Sequence, residues 1–502
     1  MKRYLFFASA LLGTAVMQAQ EMVTPLDAVR YGVDNVTGTA RFRAMSGAFG
    51  ALGGDISAMG VNPAGMAIFN YNTGTASVTS YNMSNSASYL GNTRKKNDNA
   101  FEINQIGGVF VFNSMNPEAV MKKFTLGFNY ENTGNLDNSF YVQGTSPNNS
   151  ISDYFLSYAN GIRLSTLQNA WFEDLNFAGQ QAYLGYNAYL FDPAVNAPNN
   201  TSYIAAENIT NSNRYYQEAG VSSTGFNGKV NLNFAAQLQN WLYLGLNLNV
   251  HFTDFIKNTS VYERYNAPTN LGLQSVRFDT QRYTYGGGFS MNVGAIAKVT
   301  EEFRVGLAYE SPTWYSLQDE VRQSISSFCP ECDGTSTSYF TTDPAFTFIL
   351  PDYSLRTPGR WTGSLAYIFG KSGLISIDGS IRDYGNTRYS TDNFSAINAA
   401  LSDNLGYAAE IRIGGEYRIK AFSLRGGFRY EQSPYEENVA MGDLRGYSGG
   451  LGYTFGNSRI DLAYSYYSRW VTNSLLDGNG FANTARVNTD NNNVTLSYTI
   501  DL

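Results

Sequence analysis

The feature that most constrains the fold is a two-residue alternation of apolar and polar side chains that recurs from residue 73 onward. Such alternation is typical of strands with one apolar face and one polar face. One example places Phe124, Leu126, Phe128 and Tyr130 against Thr125, Gly127, Asn129 and Glu131. The pattern predicts about fourteen strands, near residues 73–82, 102–113, 123–133, 226–238, 242–257, 282–298, 302–312, 358–370, 373–384, 406–419, 422–432, 444–456, 459–470 and 490–501.

The connections between these strands alternate in length. Those after the fourth, sixth, eighth, tenth and twelfth strands are short, whereas two others span residues 134–225 and 313–357. Short periplasmic turns and long extracellular loops are typical of an outer-membrane β-barrel with an even number of strands. We therefore predict an all-β fold, a transmembrane antiparallel barrel over residues 72–502 with both termini in the periplasm. A soluble β-sandwich or propeller would also alternate, but the loop asymmetry disfavours it.

The N-terminus predicts export. Met1-Lys2-Arg3 precedes an apolar stretch, Tyr4–Val16, and small residues follow near Ala19. This order is typical of a secretory signal peptide, which we assign to residues 1–19. No later run of about 18 apolar residues could span a membrane as a helix.

Charge and cysteine content argue against a nucleic-acid-binding protein and against a metalloprotein. The net charge is −7 and basic residues are not clustered, which argues against nucleic-acid binding. Cys329 and Cys332 are the only cysteines and lie in a polar stretch, so in an exported protein we expect a local disulfide. We predict no metal site and no cofactor, since two cysteines and one histidine supply few metal ligands.

Residues 38–69 are rich in Gly, Ala and Ser and contain few charges. Small residues let a backbone pack closely against a surrounding wall. Pro63 fixes its own φ and disfavours the α region at Asn62, so Asn62, Pro63, Ala64 and Gly65 should form a defined turn. We predict that residues 20–71 form a hatch inside the barrel.

The same stretch carries a family resemblance. Gly-x-Ala-Arg at 38–41, Gly-Ala-Phe at 47–49, Ala-Leu-x-x-Asp at 51–55 and Asn-Pro-Ala-Gly at 62–65 occur in one order. This segment resembles the hatch of the FadL/TodX family of outer-membrane transporters for hydrophobic compounds. The resemblance implies capture at the outer loops, a pocket above the hatch, a gate at Asn62–Gly65, and sideways release at a kinked strand, for which Gly127 is a candidate kink.

Inward-facing residues supply few candidates for chemistry. His251 falls on the polar face, so we expect no enzyme. Many inward charges should pair with one another, because unpaired buried charge is costly. Guanidinium can grip both oxygens of a carboxylate, which makes Arg382, Arg412 and Arg429 candidates for binding an amphiphile.

Within loop 134–225 the apolar period lengthens to about 3.6, which predicts two short helices. Ser152 or Asp153 could cap the first, and Asn160-Gly161 could end it. The apolar faces could pack on each other as a lid or leave a collecting groove. The predicted groove is lined by Tyr154, Phe155, Tyr158, Leu167, Trp171 and Leu175.

These observations together predict passive uptake of a hydrophobic molecule, such as a long-chain fatty acid, across the outer membrane of a Gram-negative bacterium. The expected partners are that ligand and the surrounding lipid and lipopolysaccharide, and we expect a monomer. Two alternatives remain open, a FadL-like accessory barrel of a protein-secretion system and a general porin. A secretion role predicts a co-purifying protein, and a porin predicts steady ion conductance.

Overall fold

The barrel prediction is confirmed by a computed structural model that describes residues 23–502 except 117, 148, 207–214, 267–270, 391–393, 438, 477 and 479. The predicted signal peptide therefore lies outside the described residues. The helices are α1 (Pro25–Gly32), α2 (Ala40–Ala44), α3 (Ile151–Ala159), α4 (Leu164–Asn169), α5 (Phe177–Asn187) and α6 (Ser395–Asn404). Short 3₁₀ turns cover Ile56–Gly60, Pro63–Ile68, Phe172–Asp174 and Tyr384–Asn386.

The strands pair as a closed antiparallel sheet. The strands are β1 (Thr73–Tyr89), β2 (Asn92–Asn113), β3 (Met121–Asn135), β4 (Asn138–Ser146), β5 (Phe191–Pro193), β6 (Tyr203–Ala205), β7 (Tyr215–Leu238), β8 (Leu242–Tyr265), β9 (Ser275–Lys298), β10 (Phe303–Glu310), β11 (Trp314–Phe328), β12 (Tyr339–Thr342), β13 (Thr347–Ile349), β14 (Tyr353–Arg356), β15 (Arg360–Phe369), β16 (Gly373–Asp383), β17 (Arg388–Tyr389), β18 (Tyr407–Ile419), β19 (Phe422–Glu431), β20 (Leu444–Phe455), β21 (Ser458–Ser474) and β22 (Thr484–Asp501).

The described wall crosses the barrel fourteen times. Four of these passes consist of two strands each, β3 with β4, β10 with β11, β14 with β15 and β16 with β17. The short strands β5, β6, β12 and β13 are not counted as passes.

Alternation along the strands separates an apolar outer face from a polar inner face. Side chains on the outer face are exposed, including Leu232, Leu244, Val250, Phe289, Leu307, Leu365, Ile377, Ile413, Leu424, Leu462 and Leu496. Inward positions are polar and buried, including Ser77, Thr125, Asn233, Asn247, Asn249, Ser376, Thr495 and Ser497. Ring pairs flank the apolar band at its two ends, Tyr309 with Trp361 at 4.6 Å and Phe422 with Tyr453 at 4.9 Å. Aromatic residues at both edges of an apolar band are typical of a membrane protein.

Three neighbouring strands, β7, β8 and β9, have 24 residues each. A tilted membrane strand needs only about 9–11 residues, so these strands continue past the membrane on the long-loop side. There α3, α4 and α5 pack against the inner face of the extended sheet in one apolar cluster. We call this assembly, residues 138–191 on the extended sheet, the roof. It occupies much of the predicted loop 134–225.

None of the described helices has the length and apolarity needed to span a membrane.

The predicted kink at Gly127 is wrong in position. Gly127 pairs regularly with Asn233, and the register of β3 with β7 shifts instead between Met121 and Lys123 and between Asn132 and Gly134. The pairing of β2 with β3 also ends close to this point, at Gln105 and Glu131. The role of Gly127 is to leave room for Met59, since a Cβ at position 127 would lie 2.6 Å from Met59 Cε.

Closure of the wall can be tested at its seam. β1 pairs with β22 from Thr73 with Asp501 to Ser88 with Arg486. Deleting residues 484–502 should leave β1 and β21 with open edges, so unboiled protein should no longer migrate as a compact species in SDS. A variant lacking only Leu502 should migrate like the full chain. A compact unboiled band from the larger deletion would contradict closure through this seam.

Candidate ligand cavity and hatch

The segment from Thr39 to Phe69 contacts inward-facing groups of the barrel wall. Thr39 caps α2, and the amide of Ala40 donates to Ser497 Oγ of β22 at 2.6 Å. On other strands, the amide of Gly50 donates to Asp378 at 2.9 Å, and Arg304 donates to the carbonyl of Leu52 at 3.0 Å. The segment is therefore hydrogen-bonded to strands on several sides of the wall.

Glycines in the wall make room for this backbone. A Cβ at Gly294 would lie 2.1 Å from Asn62 Oδ1, and one at Gly306 would lie 2.3 Å from the carbonyl oxygen of Gly50. A Cβ at Gly245 would lie 2.3 Å from the amide nitrogen of Ala64. Sequence reasoning missed these positions, although a signal was present, because each glycine falls on the polar, inward face of its strand.

Asn62 anchors the predicted turn. Its Nδ2 donates to the carbonyls of Gly50 at 2.7 Å and Ala295 at 3.0 Å, while its Oδ1 accepts from the amide of Ala64 at 3.1 Å. Pro63 begins the 3₁₀ turn, and its carbonyl accepts from Asn233 of β7. One buried side chain thus joins two parts of the segment and the wall.

Buried ion pairs attach the segment to the opposite side of the wall. Arg41 Nε lies 2.9 Å from Glu416 Oε2, and Arg425 Nε lies 2.7 Å from the same oxygen. Arg425 also pairs with Asp461 at 2.7 Å. Removing one partner of such a network would leave an uncompensated buried charge.

A cavity of 670 Å³ lies between the N-terminal segment and the inner wall. Its lining is mixed. Apolar side chains include Met83, Phe140, Val221, Phe255, Leu444 and Val487, basic ones include Lys229, Lys257, Arg382 and Arg469, and acidic ones are Asp27, Asp34, Asp137 and Glu310. A cavity of this size, with apolar surface between charged groups of both signs, is large enough for a small molecule.

Helix α1 borders this cavity. Thr24 and Asp27 form a capping box at its start. Asp27 also pairs with Arg282 of β9, the Arg30 guanidinium lies 3.8 Å from the ring centre of Phe255, and Tyr31 packs on Tyr315. The N-terminal segment is therefore held against the wall at two places, the turn at residues 62–65 and helix α1.

The structure separates the three candidate arginines. Arg382 lines the cavity, pairs with Asp34 and donates to the carbonyl of Gly32. Arg412 and Arg429 instead share Glu410 Oε1, at 2.7 and 2.6 Å, and neither lines the cavity. Of the three, Arg382 alone is placed to meet a ligand in the cavity.

The carboxylate of Asp34 lies between two arginine side chains. Its Oδ2 lies 3.0 Å from Arg360 Nη1 and contacts Arg382. Burial by itself raises the pKa of Asp34, but attraction to Arg382 and Arg360 outweighs it and holds that pKa below its usual range. The carboxyl is therefore ionised at neutral pH.

The six loop residues predicted to line a collecting groove do not share one surface. Tyr154, Phe155, Tyr158 and Leu167 are buried in the roof, and Leu175 is half-buried. Trp171 is 73% exposed, because α4 ends at Asn169 and the ring lies outside the packed face. Ser150 is the N-cap of the first helix, and Asp153 completes a capping box by accepting from the amide of Ser150 at 3.0 Å. Asn160 is the C-cap, and Gly161 follows with φ +99°.

The wall is incomplete beside the cavity. On the N-terminal side of Gln105, residues 92–103 of β2 pair only with β1. Side chains bridge the remaining space toward β3 and β4. Glu102 Oε1 accepts from Asn135 at 2.7 Å, and Asp98 Oδ1 accepts from Ser139 Oγ at 2.6 Å. We call this the side gap. Residues 133–138, on its β3–β4 side, line the cavity.

Other candidate residues have local partners. His251 faces inward, as predicted, and its Nε2 lies 2.8 Å from Ser290 Oγ. Cys329 and Cys332 are joined in a disulfide. Within the described ranges, no group of three or more His, Cys, Asp or Glu side chains could hold a metal ion.

Comparisons with known proteins agree with this architecture. A family model described as outer membrane protein transport protein (OMPP1/FadL/TodX) matches residues 199–500. A solved FadL homologue from Pseudomonas aeruginosa is 13% identical, with a TM-score of 0.52 over 94% of this chain and 99% of that chain. The Pseudomonas putida toluene transporter TodX is 14% identical, with a TM-score of 0.50 over 94% of this chain and 100% of that chain. A search of curated protein sequences found no match.

The turn at Asn62 generates a test. In Asn62→Ala the carbonyl of Gly50 and the amide of Ala64 lose their side-chain partner, at a cost of about 1–3 kcal/mol for each buried group left unpaired. We expect a higher single-channel conductance in planar bilayers, because the turn is released from the wall, and a modest fall in the thermal unfolding temperature. Asn35→Ala, a half-buried asparagine outside the turn, is the matched control. Equal conductance in the wild type and both variants would contradict a role for Asn62 in holding the segment.

Proposed function

This chain belongs to the outer membrane protein transport protein family (OMPP1/FadL/TodX), and from that premise we propose that it takes up a hydrophobic molecule passively across the outer membrane of a Gram-negative bacterium. The observation that carries the proposal is the 670 Å³ cavity, which meets the N-terminal segment on one side and the side gap on another. An internal cavity that is closed on one side by the N-terminal segment and bordered on another by a weakly paired part of the wall suits a transporter that holds a ligand and then releases it sideways.

The proposed substrate class is an amphiphile with a carboxylate, such as a long-chain fatty acid. The apolar walls of the cavity would hold the chain, and Arg382 would bind the acid. Asp34 already fills that position with a carboxylate of the protein itself. An incoming acid would therefore compete with Asp34 for Arg382, which would loosen the contact of the N-terminal segment with the wall.

The proposed exit is the side gap. On its outer face β2 carries Phe101, 72% exposed, and Ile103, 57% exposed, so the gap borders an apolar surface. The gap is bridged by side chains, which can rotate apart without breaking backbone pairing. A hydrophobic ligand that leaves here would enter the lipid directly.

The hatch would keep the barrel closed to ions, which distinguishes this proposal from a general porin. For capture, Trp171 is the member of the predicted collecting site that a ligand could reach without opening the roof. We propose that Trp171 marks the entry side of the transporter.

Competition between Asp34 and the ligand predicts opposite effects for two variants. Asp34→Asn should raise the affinity for palmitate about tenfold, or about 1.4 kcal/mol, because Arg382 then loses its nearest carboxylate partner and keeps only Glu310, at 3.3 Å. Arg382→Ala should lower it by a similar factor. Palmitate affinity, measured by calorimetry with purified protein, should be unchanged in the control Arg412→Ala, and hexadecane affinity should not depend on either charge. A change in the same direction for both variants would contradict competition.

Release through the side gap predicts that a cross-link blocks uptake. In the double variant Glu102→Cys, Asn135→Cys, a short bis-maleimide should join the two sides, since the native side chains touch. We expect uptake of radiolabelled palmitate by cells to fall to the background of cells that lack the protein. Each single-cysteine variant, treated in the same way, should transport normally. Normal uptake by the fully cross-linked protein would exclude this exit.

A further inference from the structure

A second concave surface lies outside the barrel, away from the transport cavity. It is a groove of 570 Å³ across β4, β7, β8, β9 and β11, on the outward face of the extended sheet that carries the roof on its other side. The roof and the transport cavity lie on the inner face. Phe140 and Val221 border both the cavity and the groove, so a single layer of sheet lies between the two.

The floor of the groove consists of two adjacent rows of outward-facing residues, most of which are glycine, serine or amide residues. One row runs across the strands as Tyr141, Gly220, Ser260, Asp279 and Ser324, and the other as Ser222, Asn258, Gln281 and Arg322. A Cβ at Gly220 would meet nothing within 4 Å. At ~4.8 Å per strand, five strands give a groove on the order of 20 Å long.

Larger side chains close the two ends. Lys96 and Tyr141 line one end, and the exposed ion pair of Arg322 with Asp343, at 3.3 Å, lines the other. Along one side Arg277 lies on the ring of Tyr262 and donates to Ser260 Oγ at 3.1 Å. The groove is thus bounded by groups already held by neighbours.

The chemistry of the lining fits sugars. Asn258 Oδ1 accepts from Gln281 Nε2 at 2.9 Å, so two planar amides lie side by side in the floor with further donor and acceptor capacity. Serine hydroxyls and the ring of Tyr141 add hydrogen-bonding groups and an apolar face. Lys96, Arg322 and, along one side, Arg277 face Asp279 and Asp343, so the groove has charges of both signs rather than a cluster of basic groups. This favours uncharged hydroxyl-rich groups over phosphates.

The position of the groove indicates where such sugars come from. Lower on the same outward face Val250, Phe289 and Trp314 are exposed and belong to the apolar membrane band. Tyr283 and Tyr285 follow, hydrogen-bonded to Asp254 and Gln318. Asp279 in the groove lies about 20 Å farther along β9 than Tyr285, at ~3.3 Å per residue. A molecule anchored in the adjoining leaflet therefore reaches the groove with its head group, not with its acyl chains.

We propose that this groove binds the glycan of the lipopolysaccharide that surrounds the barrel, through uncharged sugar units lying across β7, β8 and β9. The surface is continuous with the face that contacts lipid, so the ligand is delivered by its own membrane anchor. The proposal does not depend on which molecule the cavity transports.

The test uses the full-length protein in lipid nanodiscs and lipopolysaccharide prepared from its own host cells. Three probes are compared by surface plasmon resonance: intact smooth lipopolysaccharide, the polysaccharide released from it by mild acid, and the lipid A that remains. We expect intact lipopolysaccharide to bind, the free polysaccharide to bind at least tenfold more weakly because it has lost its anchor, and lipid A not to compete for the groove.

Gly220→Trp should fill the floor without a clash and weaken binding of intact lipopolysaccharide and of free polysaccharide at least tenfold. Thr145→Trp, on the same outward face but outside the groove, is the matched control and should bind normally. Heat-modifiable migration in SDS checks that both variants are folded, and Asn258→Ala gives an independent loss without added bulk. Wild-type binding by Gly220→Trp, or binding fully reproduced by lipid A, would overturn the proposal. Equal affinity for free and anchored polysaccharide would overturn the assigned source.

Discussion

Within a bilayer no water is available to pair a free backbone N–H or C=O, and this requirement governs the architecture of the whole chain. The wall meets it by closing β1 onto β22, so that the sheet has no edge across the membrane band. Backbone pairing between β2 and β3 stops early, at Gln105 and Glu131, which leaves the side gap. There, side chains such as Glu102 and Asn135 replace the missing contacts. A gap held by side chains can open at lower cost than a broken ladder.

The barrel interior is subject to a related requirement, because charged and amide side chains removed from water must also find hydrogen-bond or ion-pair partners. The N-terminal segment supplies many of them: backbone groups of residues 40–69 meet Asp378, Arg304, Asn247 and Ser497 on the wall. Wall glycines bring the two backbones close enough for these bonds. The segment and the wall therefore stabilise each other. A ligand that exchanges partners with Asp34 acts on one contact of an extensive network, which suits a reversible gate.

The long strands give the molecule a second environment above the membrane. β7, β8 and β9 leave the lipid without ending, and their two faces then separate in chemistry. The inner face is apolar and carries the roof, whereas the outer face changes from leucine, valine and phenylalanine to amides, hydroxyls and paired charges. Along these strands the same alternation thus produces an apolar inner face covered by the roof and a polar outer face with the groove.

The sequence by itself determined the barrel, its fourteen passes and the inward or outward side of residues within the predicted strands, because alternation along a strand is a local property that needs no knowledge of distant contacts. It did not predict β4 or β11, which lie in segments predicted as loops. The family resemblance at residues 38–65 likewise identified the segment that meets the wall. Tertiary structure alone decided which inward arginine faces a cavity and which is taken by Glu410, since parity gives all three the same side. The tertiary structure also places a register shift of β3 at Asn132–Gly134 rather than at Gly127. Four of the six loop residues predicted to line a groove are buried. Register between strands and packing of a loop against itself depend on contacts between residues far apart in the chain, and the period of an isolated segment carries no information about them.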